Sequence, residues 1–208
     1  MPVRSLFMYI GLSFFSLVSA AQYPDPSLMS KSESAKYIIR QLKQGALLVR
    51  LDMRTKAVTM LQEQDKNEAA EIILQRQRKE NLEIISAFKR NFNFCPVYFF
   101  LSDSSDAARA SRRSGYFLND SMQADPAITL NENYFLIAEK GMLEKEIPQD
   151  KTQTSQEPST RGTMEDALVI RDKNYNLLKD PFPYWVHLGN WDTRVRKLNK
   201  KFLNFYQH

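Results

Sequence analysis

The chain has 208 residues, one cysteine, two histidines and a formal charge of +5 at neutral pH. A single thiol excludes an internal disulfide framework and C-x-x-C redox chemistry, and so few Cys and His residues exclude a zinc site of the usual ligand count. The mild basic excess lacks the dense footprint of a nucleic-acid-binding protein.

Arg4, the apolar run SLFMYIGLSFFSLV and the small residues around Ala20 have the three-part layout of a cleaved secretory signal, expected to occupy residues 1–20. The run is short for a transmembrane helix, which needs about 20 apolar residues. No later stretch is apolar enough to span a membrane, so the expected location is periplasmic or extracellular. Residues 21–30 hold two prolines and no periodicity and read as a flexible lead-in to a single domain over 31–208.

Ser32 to Lys43 reads as a helix capped by Ser32, with Gly45 in the left-handed position that ends it. ALLVRL, 46–51, has strand length. From Thr55 to Phe92 the apolar period becomes helical, as a hairpin broken near Asp65 with Asn67 capping its second arm, or as one long helix. Its all-polar middle, QRQRKEN, is expected on a solvated face. PVYFFLS, 96–102, is aromatic and β-branched and reads as a strand buried on both faces. A short helix capped by Ser105 follows, and then YFLND, 116–120, as a third strand.

The order from 46 to 120 thus predicts an α/β fold with a parallel β-α-β-α-β first half and helices on both faces of a mixed sheet. Antiparallel hairpins complete it: ITL with YFLIAEKG, and ALVIRD with NLLKDPFPYWV. Residues 143–163 are polar without an apolar face and are expected to be disordered. Trp191, Val195, Leu198, Phe202 and Phe205 share one face of a final helix with Asn190 as N-cap.

DPFPYWVHLGNWD, 180–192, packs two prolines, four aromatic residues and a histidine into thirteen positions. Prolines lack the ladder donor, so this stretch is an edge strand turning a corner into the last helix, or else a recognition surface. In the first case Phe182, Trp185 and Trp191 pack between helix and sheet.

No catalytic set is assembled by motif. There is no G-x-S-x-G, no phosphate-cradling glycine loop, and no carboxylate-rich calcium loop. LDMRT, 51–55, is similar to the opening of the haloacid dehalogenase phosphatase motif. Arg54 stands near the place of its second Asp and Thr55 comes one residue early, which removes the general acid. Cys95 precedes an apolar run and is expected to be buried and inert.

In parallel sheets ligands bind beyond the carboxyl ends of the strands. The candidates there are Asp52 and Arg54 after the first strand, Asp103, Ser104 and Asp106 after the second, and Asn119 and Asp120 after the third. Asp and Ser are also ordinary turn formers. The basic residues of the last helix, Arg194 to Lys201, suit weak contact with a membrane surface, which requires Phe202 and Phe205 to be exposed.

Taken together, GALLVRL, NFNFCPVYFF, YFLND, DPFPYWV and the closing RKLNKKF helix resemble a group of uncharacterised exported proteins of the Bacteroidota. The resemblance implies an envelope location and no assigned activity. The closing hairpin and helix also resemble the end of the thioredoxin fold, without its redox dithiol. The expected function is that of an exported, non-enzymatic binding or interaction protein of the cell envelope. Its partner would be an envelope protein or a small ligand, with no cofactor. The alternative is an enzyme or ligand-binding protein using the strand ends.

Overall fold

ALLVRL carries apolar side chains to both faces, and such a strand is stable only at the centre of a sheet covered on both sides. The structure is a computed structural model that describes residues 29–145 and 163–208, and it places this segment, β1 (Ala46–Leu51), beside β2 (Val97–Leu101) and β3 (Phe135–Lys145). Both pairings are parallel, with Val49 opposite Phe99 on one side and Ala138 on the other. Two antiparallel strands, β4 (Thr163–Arg171) and β5 (Trp185–His187), complete the order β2-β1-β3-β4-β5. The fold is α/β with one mixed sheet.

The third parallel strand is not YFLND. Residues 116–118 make only isolated bridges, Phe117 with Phe100 and Leu118 with Ala124, and the Leu118 amide donates to the Phe99 carbonyl at 2.9 Å. Their apolar character has another cause. Phe117 is fully buried against the Tyr98 and Tyr116 rings, so the segment covers the β2 edge instead of extending the sheet. ITL likewise forms no strand with YFLIAEKG; it holds one bridge, Thr129 with Ser114. YFLIAEKG leaves that expected hairpin to become the third parallel strand.

Helices cover both faces. On one lie α1 (Lys31–Gln44), α3 (Asn67–Asn91) and α5 (Trp191–Gln207), whose residues Leu42, Phe88 and Phe202 join Leu47, Val49 and Leu51 in the larger core. On the other, α4 (Ser105–Arg109) brings Ala108 against Ala46, Leu48, Phe100 and Ile137. Each such buried aliphatic side chain contributes about 1.5–3 kcal/mol relative to exposure. The helical stretch 55–92 is a hairpin: α2 (Thr55–Gln62) turns at Asp65, φ 58°, into α3.

Several caps differ from expectation. Ser30, not Ser32, caps α1, in a reciprocal pair with Glu33. A residue two places earlier gains the third-position Glu that completes the box. Gly45 is not left-handed, at φ −105°. Glycine is required because a Cβ there would sit 2.3 Å from the Tyr134 carbonyl oxygen. Asn67 and Ser105 are first helical residues, preceded by Lys66 and Ser104 without side-chain caps. Asn190 does cap α5, accepting from the Thr193 amide at 3.0 Å.

The proline-rich stretch ends in the edge strand, as its missing donors require. Phe182 is buried against Phe202 and Phe205, and Trp191 packs on the same core. Trp185 does not. It joins neither core and stacks on His187 with ring centroids 4.7 Å apart. The expected signal at 1–20, most of the lead-in and most of the 143–163 segment lie outside the described residues. The ends of that last segment, Leu143 to Lys145 and Thr163, belong to β3 and β4.

Candidate functional site

The connection after β1 leads to α2 and α3 on one face of the sheet, and the connection after β2 leads to α4 on the other. Adjacent parallel strands whose chains part in this way leave a crevice at their carboxyl ends, the usual ligand position in open α/β sheets. Here the two loops are joined at one point. The Met53 amide donates to Ser102 Oγ at 3.2 Å, and Thr55 Oγ1 donates to Asp103 Oδ1 at 3.1 Å.

Arg54 holds the left-handed conformation, φ 54° and ψ 23°, which is uncommon for a non-glycine residue and is maintained only where neighbours over-determine it. Those neighbours are visible. Asp52 Oδ1 accepts the Arg54 amide at 3.0 Å, and Asp52 Oδ2 lies 3.4 Å from Arg54 Nε. Arg54 Nε donates to Gln77 Oε1 at 3.2 Å, Gln77 Nε2 to Asn81 Oδ1 at 3.1 Å, and Asn81 Nδ2 back to the Asp52 carbonyl at 2.8 Å. Gln77 and Asn81 are buried, at 7% and 1% exposure. These two amides come from QRQRKEN, expected on a solvated face. Within the run, i and i+4 spacing turns them inward, where buried polar groups must be paired.

Between this loop and the ends of β3 and β4 lies a cleft of about 250 Å³. Arg54 and Lys140 stand in it against Asp52 and Asp166, while Arg50 and Glu139 line it from β1 and β3 with their charged ends turned to the α4 face of the sheet. Glu139 is buried and gripped by two guanidiniums, Arg50 Nη1 at 2.8 Å and Arg171 Nε. Arg50 Nε also donates to Ser105 Oγ at 2.8 Å, and Arg171 Nη1 to the Tyr175 carbonyl at 3.0 Å. Tyr175 lies against the guanidiniums of Arg50 and Arg109, 5.6 and 5.2 Å from its ring centroid, and burial raises its phenol above the ordinary value. Lys140 bonds Glu80 at 2.7 Å and approaches Asp166 at 3.6 Å.

Of the residues picked from the sequence, Asp52 and Arg54 line this cleft. Asp103 and Ser104 stand on the neighbouring loop, Asp103 exposed and bonded to Thr55. Asp106 points to solvent and pairs with Arg109 at 3.0 Å. Asn119 organises its own turn, accepting from the Ser121 and Gln123 amides, and Asp120 pairs with Lys89. With 116–120 outside the sheet, neither Asn119 nor Asp120 sits at a strand end. Among the described residues no group of three His, Cys, Asp or Glu side chains converges as a metal site. Sequence reading missed Glu139, Arg171, Gln77 and Asn81. A signal existed for the first: Arg50 in ALLVRL and Glu139 in FLIAEKG are opposite charges inside apolar strand runs, and the register sets them side by side.

Cys95 is half-buried, and desolvation pushes its thiol up to about 12, far from thiolate reactivity at neutral pH. Phe202 is fully buried and Phe205 half-buried against Phe182, so the apolar face of α5 is not available for insertion into a membrane. No described helix is long and apolar enough to cross one. Comparison with protein-family models, curated proteins and solved structures returns no match.

Proposed function

We propose that this protein is an exported, non-catalytic binding protein of the cell envelope that holds a small polar ligand in the cleft at the carboxyl ends of β1 and β3. The observation that carries the reading is the strained Arg54 loop, braced by the buried Gln77–Asn81 pair at the mouth of a cleft. Strain of this kind, held by a buried polar network, is a feature of preorganised sites. Arg54 uses Nε for Asp52 and Gln77, and its two terminal nitrogens bond nothing else among the described residues. They form a fork suited to a carboxylate or a similar planar anion.

The lining supports binding over catalysis. The charges turned into the cleft, Arg54 and Lys140 against Asp52 and Asp166, are matched in sign, and no serine, cysteine or histidine stands among the lining residues. Balanced charge in a small cleft suits a zwitterion, such as an amino acid or a dipeptide. The export half of the reading rests on the first 20 residues and on the resemblance to exported Bacteroidota proteins.

Thermal unfolding in the presence of amino acids, dipeptides and neutral sugars tests the reading. A ligand at 100 times its dissociation constant adds about 2.7 kcal/mol and raises the midpoint by roughly 5–10 °C for a chain of this length. The shift should appear with a zwitterion and disappear in Arg54→Ala. A panel that moves neither protein rejects the cleft as the site.

A further inference from the structure

A second concave surface lies on the helical side of the molecule, along the seam of α3 and α5. It is a groove of about 780 Å³, within the range of ligand-sized sites. It shares no lining residue with the strand-end cleft, so variants can be placed in the one without touching the other. On the α3 side stand Gln75, Arg78, Lys79 and Glu83; on the α5 side, Asn190 and Trp191.

The groove is built, not merely left open. Arg90 crosses the seam and grips both Asp192 oxygens at 2.9 Å, and Asn91 Nδ2 donates to Asp192 Oδ1 at 2.6 Å. Those two charges neutralise each other. The Arg194 guanidinium lies 5.0 Å from the Trp191 ring centroid, and its Nε donates to the Gly189 carbonyl at 2.9 Å. Trp191 is half-buried, anchored on the core, and lines the groove. With Arg90 and Asp192 paired, the remaining charges of the lining are Arg78 and Lys79 against Glu83. Exposed Arg196, Lys197 and Lys200 continue the positive field along α5.

We infer that this groove binds an acidic polysaccharide, a chain of sugar rings carrying carboxylates. The exposed part of the indole that Arg194 leaves uncovered offers apolar surface to the C–H groups of a sugar ring, while Gln75 Oε1 and Asn190 Nδ2, whose companion atoms bond Glu71 and Thr193, offer an acceptor and a donor to hydroxyls. The Arg78 guanidinium and Lys79 take the carboxylates, and a net positive field concentrates such a polymer near the groove. A bilayer surface would not follow a concave groove, and the apolar side of α5 is already in the core. Nucleic acid would call for several stacking platforms, and the groove holds one aromatic residue.

The experiment is affinity electrophoresis of the full chain in gels containing polygalacturonate or neutral dextran. It is joined by flotation with phosphatidylglycerol vesicles, a shift assay with duplex DNA, and tryptophan fluorescence in a Trp185→Phe background that leaves Trp191 as the reporter. Polygalacturonate, and not dextran, should retard the protein and shift the Trp191 emission. Reversing the exposed pair, Arg78→Glu with Lys79→Glu, should weaken retardation about tenfold or more, whereas Lys31→Glu with Arg40→Glu on α1, an equal change of net charge, should weaken it far less. Circular dichroism checks that both variants are folded. Absence of retardation at about 50 mM salt, where surface charges are weakly screened, overturns the proposal. So does equal loss in the α1 control, or vesicle or DNA binding as tight as that of polygalacturonate with Trp191 emission unmoved, which would mark a general polyanion surface.

Discussion

Lys201 Nζ donates to the Trp185 carbonyl at 2.9 Å and sits 5.1 Å from the centroid of the Trp185 ring. Trp185 belongs to the edge strand β5, whose outward backbone groups have no further strand to pair with. A lysine laid over such an edge satisfies one carbonyl and sets a charge where another chain would have to add. Burial lowers the Lys201 pKa, consistent with an ammonium drawn partly out of water. Lys201→Ala should cost about 1 kcal/mol of stability and raise the tendency to self-associate. Sedimentation velocity over a concentration series, run beside the wild type, checks this. Unchanged association would show that the two prolines upstream protect the edge without help.

Phe202 is where the last helix meets the rest of the fold. Its ring contacts those of Phe92, Phe94 and Phe182, with centroids 5.4–6.1 Å apart, and it is fully buried. Phe202→Ala leaves a cavity lined by three rings that cannot all move in, and should cost about 3–5 kcal/mol in urea unfolding. Phe205→Ala, at a half-exposed position on the same face, should cost clearly less. Equal losses would mean that α5 is held by its ends and not by this contact.

Glu139 between Arg50 and Arg171 makes a sharper prediction. Removing the carboxylate charge leaves two guanidiniums facing each other near the core. A fully buried ion triad broken in this way loses about 3–5 kcal/mol. Arg50 and Arg171 keep 30% and 26% side-chain exposure, so water offsets part of that. Glu139→Gln should therefore lose about 2 kcal/mol, discounted for screening. Glu139→Gln with Arg171→Met should recover part of the loss. No recovery in urea unfolding would show that the glutamate acts through Arg50 alone.

Much of this arrangement can be read from single segments. ALLVRL is apolar on both faces because it lies inside a covered parallel sheet, VYFFL because its faces are covered although it forms the sheet edge, and the i, i+3, i+4 pattern from Trp191 onward records one helix face. What could not be read is what depends on pairing at a distance. YFLND and YFLIAEKG have the same local character, and only the register against β1 and β2 decides that the second joins the sheet while the first seals an edge. QRQRKEN hides two inward amides because polar side chains carry no periodic signal until their partners, Arg54 and the Asp52 carbonyl, are in place. The cleft is half legible for the same reason. Asp52 and Arg54 follow a recognisable strand, while Lys140 and Asp166 come from strands whose alignment the sequence leaves open.

The α3–α5 clamp should carry its own pH signature. Hydrogen bonds from Arg90 hold the Asp192 carboxyl below its ordinary value of 3.8 against the opposing effect of desolvation, helped by Asn91 and by the charges of Arg90 and Arg196. A carboxyl depressed in the folded state stabilises the fold fully above its unfolded pKa, and the contribution fades as pH falls through the lower, folded value. The stability gap between wild type and Asp192→Asn should therefore be constant from neutrality down to about pH 5 and close below the ordinary carboxyl value. Urea unfolding of both proteins across that range reads the gap directly. A gap that persists undiminished at about pH 3 would mean that the charge is not the source of the clamp, and that Asp192 acts as a neutral first-turn acceptor for Arg90 and Asn91.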